Sequence, residues 1–379
     1  MVIVIGFLIL LVVGVYSVFQ LVNLFFWWKA TDEIFEQKRS TEWPTVDVVV
    51  PARNEARNLP LLLQDLQKLN YPSSSLQIVV VDDFSEDDTL AVARRFDGIT
   101  VLQLSDRMTD PEAVIAHKKA ALTYAIENSQ AEVIVTTDAD CRWPTNGLKA
   151  LLANWQEGQF RSGSVLIETD KGFLYGFQSL DMMSYMFLTA AYAVRRRPIL
   201  ANGANLAIGR QLFNRIDGYT GVDHIASGDD VLLLHKLNSL GFAGRVRFMA
   251  DSHAVVETKA APSWSAFWQQ RLRWAGKTGH YKNAGLVWAQ GIAFAASSAI
   301  IFGLLLSIFD ERLLTITVLA WMLKAGCDGI ILRVLCAHFD RKEDFRWYLP
   351  SALLYPFYLL AIGVAALLGV KATWKGRRV

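Results

Sequence analysis

The sequence predicts an α/β domain on a parallel, nucleotide-binding type of sheet, set between membrane helices. Three observations predict it. Between Thr31 and about Tyr281, short β-prone runs alternate with amphipathic helical stretches. Acidic clusters follow several of those runs, and long apolar stretches lie before and after. Of 379 residues, 53% are hydrophobic and 20% charged, and mean hydropathy is +0.25. That balance calls for one part facing lipid and another facing water.

Taken in order, Val2 to Trp28 is an almost unbroken run of Val, Ile, Leu, Phe and Gly. At about 1.5 Å per residue it is long enough to cross roughly 30 Å of hydrocarbon. Trp27-Trp28-Lys29 closes it as an interfacial anchor. With no basic leading segment and an apolar core too long for a cleaved signal peptide, it is expected to remain as a membrane anchor. Strand-like runs follow at Val46 to Val50, Leu76 to Val81, Ile99 to Leu102 and Glu132 to Thr136, separated by helical stretches such as Leu59 to Leu69, Asp87 to Arg95 and Pro111 to Asn128. Val231 to Leu240 is an apolar helix. Ser263 to Tyr281 is an amphipathic interfacial one, setting Trp264, Phe267, Trp268, Leu272 and Trp274 among Gln269, Gln270, Arg271, Arg273, Lys277 and His280. Trp264, Phe267 and Trp268 are expected to dock on the bilayer.

Gly285 to Phe309 and Trp347 to Val370 are further spans. Leu313 to Cys336 either crosses as a third C-terminal helix or lies at the interface, because it carries Lys324, Asp328 and Arg333, and an isolated charge at mid-bilayer costs about 3 kcal/mol. Lys324 and Asp328, four apart, can pair on one helix face. With the central domain cytosolic, three C-terminal crossings put the basic tail Lys371 to Val379 outside, and two keep it inside. The expected organisation is an anchor over 1–30, an α/β domain over 31–262, an interfacial helix over 263–283, and C-terminal helices with a basic tail over 284–379.

A net charge of +2 excludes a nucleic-acid partner, which would need a strongly basic face. Cys141, Cys327 and Cys336 lie far apart or inside apolar sequence, without CxxC spacing or clustered histidines. Zinc ligation and a disulfide scaffold are therefore not expected, and a reducing cytosolic setting fits.

Sheets of the expected kind bind ligands beyond the carboxyl ends of their strands. Pro51-Ala52-Arg53-Asn54-Glu55, Asp82-Asp83 and Asp138-Ala139-Asp140 all fall there. One Asp pair after a strand is commonly a turn or a helix cap. Three loops at one sheet edge point instead to a site. Asp138 and Asp140, one residue apart after a buried strand, suit a hard divalent cation such as Mg2+ or Mn2+ whose remaining positions go to phosphate oxygens and water. A cation there neutralises a departing diphosphate. Lys118 or Lys119, opening a helix after His117, either adds positive charge near the phosphates or lies on a solvated helical face. Ser227-Gly228-Asp229-Asp230 opens another helix; capping accounts for one carboxylate but does not require two. Asp230 is the candidate general base, with Asp229 as its neighbour or an acceptor-binding group. Arg273 suits a diphosphate, and Trp274 the acceptor. Gly172 to Val194 and Gly203-Ala204-Asn205-Leu206 either form the acceptor side or pack as ordinary core.

In this order the motifs resemble the membrane-associated family 2 glycosyltransferases, the group that includes cellulose, chitin and hyaluronan synthases, poly-N-acetylglucosamine synthases and ceramide glucosyltransferase. The resemblance covers about Val46 to Trp274. Val48 to Glu55 looks like the family's opening strand and nucleoside loop, and Val80 to Thr89 like its second acidic motif, which sets Asp82 or Asp83 near the base. Asp138-Ala139-Asp140 looks like the metal-binding DxD, Asp229-Asp230 like the pair containing the base, and Gln270-Arg271-Leu272-Arg273-Trp274 like QxxRW. Two departures stand out: His117-Lys118 lies where Gly-Lys is frequent, and Asp229 where Glu is frequent. The resemblance implies a GT-A fold. It also implies that Pro51, Ala52, Arg53, Glu55, Asp82, Asp83, Lys118, Asp138, Gln270, Arg273 and Trp274 hold a nucleotide sugar, with a divalent cation on Asp138 and Asp140. The expected activity is inverting transfer from a nucleotide sugar, UDP-linked, to a lipid or glycan at the membrane, on the cytosolic side of the cell membrane. The alternatives are a synthase that polymerises and exports a polysaccharide, a membrane scaffold that binds a nucleotide sugar without turnover, and a transporter.

Overall fold

A computed structural model describes residues 2–35, 42–111, 114–276, 283–370, 373–374 and 377–378. In chain order the principal elements are α1 (Val2–Phe35), β1 (Val46–Ala52), α2 (Leu59–Gln67), β2 (Leu76–Asp82), α3 (Thr89–Ala93), β3 (Ile99–Gln103), α4 (His117–Glu127), β4 (Val133–Thr136), β5 (Cys141–Arg142), α5 (Gly147–Leu151), β6 (Phe160–Gly163) and β7 (Val165–Ile167). Then follow α6 (Phe173–Val194), β8 (Leu206–Gly209), α7 (Arg210–Arg215), α8 (Asp229–Ser239), β9 (Val246–Met249), β10 (Val256–Thr258), α9 (Trp264–Ala275), α10 (Ala284–Leu306), α11 (Glu311–His338) and α12 (Tyr348–Leu367). The chain forms two compact units. An α/β unit holds Trp28–Glu168 and Thr189–Lys259; a helical unit holds Met1–Trp27, Thr169–Leu188 and Ala260–Val379.

In the α/β unit, seven strands form one sheet in the order β3-β2-β1-β4-β8-β6-β9. β3, β2, β1 and β4 run parallel. β1 reads Val46-Asp-Val-Val-Val-Pro-Ala, nearly all buried, as a central parallel strand covered on both faces must be. Its alternation divides the core. Val46, Val48, Val50 and Ala52 pack with Leu59, Leu62, Leu63 and Leu66 of α2. Val49 faces the other way, with Val79, Val81 and Ile134, toward Ala121, Leu122 and Ala125 of α4. The sheet is parallel-rich, as expected of a nucleotide-binding α/β domain, and within it β8 runs against both β4 and β6. The chain returns to the sheet from α6 at the end where β4 finishes, with Leu206 opposite Thr136. This reversal matters for function, because it lays residues 203–205 beside the carboxyl end of β4. A smaller sheet, β5-β10-β7, completes the unit.

The expected strands match to within two residues. The helix expected from Pro111 starts only at His117, and residues 112–113 lie outside the described residues.

In the helical unit, three helices are long and apolar enough to cross a membrane: Val2–Asp32, Ala284–Leu306 and Lys342–Leu367. Ile9, Val13 and Tyr16 of α1, Ala296 and Ile300 of α10, and Ala320 of α11 form one buried cluster. α11 is continuous over 28 residues. Its Lys324 pairs with Asp328 at 2.6 Å, and Asp328 also accepts a hydrogen bond of 2.7 Å from the Tyr16 hydroxyl of α1. Two of the three charges that set this helix apart in the sequence, Lys324 and Asp328, are thus satisfied inside the unit, while Arg333 is exposed. Phe267, expected to dock on lipid, is 1% exposed, with its ring against Phe177 and Tyr358. Burial among aromatic rings from α6 and α12 accounts for it. Lys277, His280 and, in the basic tail, residues 371–372, 375–376 and 379 fall outside the described residues.

Candidate active site

Four loops of the α/β unit carry the acidic motifs. β1 ends at Ala52, and the following turn is laced to the loop after β2. Arg53 donates to the Asp83 carbonyl at 3.1 Å and reaches Glu86, the Asn54 amide donates to the Ser85 hydroxyl, and the Glu55 amide donates to Thr89 Oγ1 at 2.7 Å. Pro51 is half-buried at the end of β1. The two loops therefore form one wall, at the carboxyl ends of adjacent parallel strands.

Asp82 and Asp83 are 6% and 5% exposed but differ in their partners. The Asp83 Oδ1 lies 2.5 Å from His117 Nδ1 at the start of α4, and Phe84 sets its ring edge-on to the imidazole. Asp82 Oδ2 accepts from the Ser85 amide at 3.3 Å, while Oδ1 is buried without a hydrogen-bond partner among the described residues. A buried carboxylate oxygen left unpaired is costly unless something else donates to it.

The next residue of α4, Lys118, carries the central contact. Its Nζ stands 2.6 Å from Asp138 Oδ1 and 3.0 Å from Asp229 Oδ2, bridging the turn after β4 to the first turn of α8. Burial opposes its charge, and Asp138 and Asp229 more than offset that, holding the ammonium well above its ordinary value. Asp138 and Asp140 flank a tight turn closed by the Cys141 amide on the Asp138 carbonyl at 3.1 Å. Burial first, then those two carboxylates, pushes the Cys141 thiol well up, so it stays protonated and inert.

α8 starts after Gly228, whose φ of +79° is open to glycine at little cost. Neither Asp229 nor Asp230 is the cap residue. Asp229 takes the ion pair with Lys118, and Asp230 accepts from the Gly203 amide at 3.0 Å and from the Val231 amide at 2.7 Å. Gly203 is fixed in turn, its carbonyl accepting from Thr136 Oγ1 at 2.7 Å. Lys119, for which a solvated helical face was one expectation, is 2% exposed. It donates to the carbonyls of Val222, Ile225 and Ser227, tying down the loop that delivers Asp229 and Asp230. Its partners lie more than a hundred residues downstream, so no local pattern announces them.

A Cβ added at Gly203 would lie 2.7 Å from Asp229 Oδ2 and 3.2 Å from Lys118 Nζ. Gly203→Ala is therefore expected to push the pair apart while sparing the core. kcat should fall by about 10- to 100-fold, as an ångström of misplacement commonly costs, with the melting temperature nearly unchanged. Steady-state kinetics beside a thermal melt checks this.

As to a divalent cation, Asp138 and Asp140 offer the hard oxygen donors that Mg2+ or Mn2+ takes, at a turn that already stabilises a positive charge. Among the described residues no group of three or more His, Cys, Asp and Glu gathers. An ion there would draw its other ligands from a diphosphate and water, so the residues present fit such an ion.

Gln270, Arg273 and Trp274 lie on α9 in the helical unit, which Ser263 caps by accepting from the Ala266 amide. Between them sits a residue to which the sequence assigned no role. Arg271 is 2% exposed; its Nε donates to Asp181 Oδ2 of α6 at 2.8 Å, and the guanidinium is ion-paired with the same oxygen at 2.7 Å. It also donates to Gln270 Oε1 at 2.6 Å and lies 4.1 Å from the centre of the Trp274 ring. Arg273 and Trp274 themselves are half-buried.

The family model for glycosyl transferase family 2 matches residues 47–215, and that for glycosyl transferase family group 2 matches residues 133–364. A probable glycosyltransferase of Bacillus subtilis, YdaM, is 26% identical over 244 residues, covering 62% of this chain and 55% of its own. A beta-monoglucosyldiacylglycerol synthase of Trichormus variabilis is 24% identical over 248 residues, covering 64% and 50%. The chain thus spans about half the length of these curated relatives. Among solved structures, a mannosyltransferase from Pyrobaculum calidifontis, in complex with GDP-Man and Mn2+, superposes with a TM-score of 0.54 at 20% identity, over 95% of this chain and 99% of that one. The fold is GT-A, that of nucleotide-sugar transferases. With more than half its length matched by the second model, the chain belongs to the family group 2 glycosyltransferases.

Proposed function

We propose that this glycosyltransferase moves a sugar from a UDP-linked donor to a lipid hydroxyl at the membrane, with inversion at the anomeric carbon. The observation that carries the reading is Lys118, whose ammonium joins Asp138 to Asp229 and so sets a diphosphate-binding turn against an acidic pair. In this scheme Asp82 and Asp83 with Arg53, Glu55, Pro51 and Ala52 hold the nucleoside, and Lys118 and Arg273 face the diphosphate. A divalent ion on Asp138 and Asp140 supplies Lewis-acid neutralisation of the leaving group when bound. Asp230, held by the Gly203 and Val231 amides, accepts the proton of the acceptor hydroxyl as its oxygen attacks the anomeric carbon. The bond from that carbon to the diphosphate breaks, and UDP leaves with the electron pair. Gln270 and Trp274 orient the acceptor.

A lipid acceptor is supported by the apolar helices and by the name of the Trichormus relative, a synthase of a glucosyldiacylglycerol. The same helices support membrane residence, with the α/β unit on the cytosolic side. Product sizing separates single transfer from polymerisation: one added sugar is expected, and a ladder would favour the polysaccharide synthase.

Asp140→Ala is expected to weaken donor binding in Mn2+ by about tenfold, or about 1.4 kcal/mol, and to leave metal-free binding unchanged. Calorimetric titration with and without Mn2+ measures both. If Mn2+ leaves wild-type donor affinity unaltered, the ion has no such role.

A further inference from the structure

Within the helical unit, an open groove of about 440 Å³ runs along α11. Met322, Gly326, Ile330 and Arg333 recur at helical spacing along one wall, and Phe345 and Tyr348, stacked at 5.2 Å and 9°, form the other. Met322 and Ile330 are 65% and 56% exposed, so this face is open among the described residues. At Gly326 a Cβ would meet nothing within 4 Å, which leaves the floor open.

The two ends of the groove differ in chemistry. Met322 lies about 16 Å along the helix axis from Arg333, and everything between is apolar or glycine on this wall. Arg312 pairs with Asp310 and Lys324 with Asp328, whereas Arg333 makes no ion pair among the described residues. Its guanidinium lies over the Phe345 ring at 5.8 Å and is exposed. The Arg333 end is also the interfacial end. Five residues on, His338 and Phe339 pack against Trp27 at 5.1 Å and 5.8 Å, the start of the Trp27-Trp28-Lys29 anchor. An exposed cation therefore sits at headgroup depth above an uncovered apolar channel.

We propose that this groove binds one anionic glycerophospholipid, its phosphate on Arg333 and an acyl chain along the Met322 to Ile330 wall. Free phosphate would leave the apolar floor unused, and a neutral lipid would leave Arg333 without a counter-charge. The proposal rests on the membrane-embedded reading of the helical unit, which alkaline carbonate extraction tests separately. Release into the supernatant defeats that reading, whereas retention with an empty groove defeats only this one.

The test is native mass spectrometry of the delipidated full chain offered equal phosphatidylglycerol and phosphatidylcholine with identical acyl chains. Wild type should keep one phosphatidylglycerol per chain, about fivefold over phosphatidylcholine, the preference expected of one basic residue at headgroup depth. Gly326→Leu, whose Cβ meets nothing within 4 Å, puts a side chain into the groove and should lose phosphatidylglycerol by a similar factor at unchanged melting temperature. Arg333→Gln should erase the preference and Arg333→Lys restore it. Equal retention of the two lipids by wild type, unchanged retention by Gly326→Leu, or preference for an isoprenyl monophosphate over phosphatidylglycerol would each overturn the proposal.

Discussion

An Asp230→Asn chain is expected to lose about 10²- to 10⁴-fold in kcat while binding its nucleotide sugar within about twofold of wild type, because proton acceptance typically contributes that much and the substitution removes little else. The argument lies in the contacts. Asp230 Oδ2 accepts from the Gly203 amide and Oδ1 from the Val231 amide. Asparagine has the same shape and keeps one acceptor, so Gly203 can stay in register. Lys118 still joins Asp138 to Asp229, and the diphosphate side is untouched. What disappears is a carboxylate able to take a proton. Single-turnover kinetics with titrated donor affinity separates the two effects, and a variant with more than a tenth of wild-type kcat would remove Asp230 from the role of base.

The second large effect concerns stability. Arg271→Met should destabilise the helical unit by about 3–5 kcal/mol, the usual result of stranding one member of a buried ion pair. Asp181 is 1% exposed and would keep its charge, or take up a proton, inside a shell of apolar and aromatic side chains. Gln270 and Trp274 would also lose the guanidinium that fixes them, so acceptor KM should rise in whatever protein survives. The double variant Asp181→Leu with Arg271→Met removes both charges and should recover most of the lost stability without restoring KM. Thermal unfolding in detergent followed by size exclusion reads the first quantity and acceptor titration the second. If the single variant melts like wild type, the pair is not holding α6 to α9.

What the sequence made legible follows from the range of the interactions involved. β1 to β4 show themselves through runs of Val and Ile whose burial is a property of the strand itself. The Lys324–Asp328 pair shows itself because helix geometry puts residues four apart in reach. The clustering of Asp82, Asp83, Asp138 and Asp140 at the sheet edge follows from strand direction alone. Other features depend on partners the local pattern cannot name. Lys119 looks like a surface lysine until the loop at 222–227 supplies three carbonyls. Arg271 and Arg273 are equivalent in an amphipathic helix until Asp181, ninety residues earlier, selects one for burial. The direction of β8 depends on where α6 returns the chain, and that reversal alone brings Gly203 under Asp230. His117 stood out as a departure from Gly-Lys, but only its 2.5 Å approach to Asp83 shows what it engages.

The account's central claim is tested most directly by incubating the purified full chain with a panel of nucleotide sugars and a membrane lipid extract, and following release of nucleoside diphosphate. Release of UDP from one UDP-sugar, dependent on added lipid and on a divalent cation, and lost in Asp230→Asn, is the predicted result. Release that proceeds equally without lipid or in the Asp230→Asn chain, or no release from any donor in the panel, would contradict it.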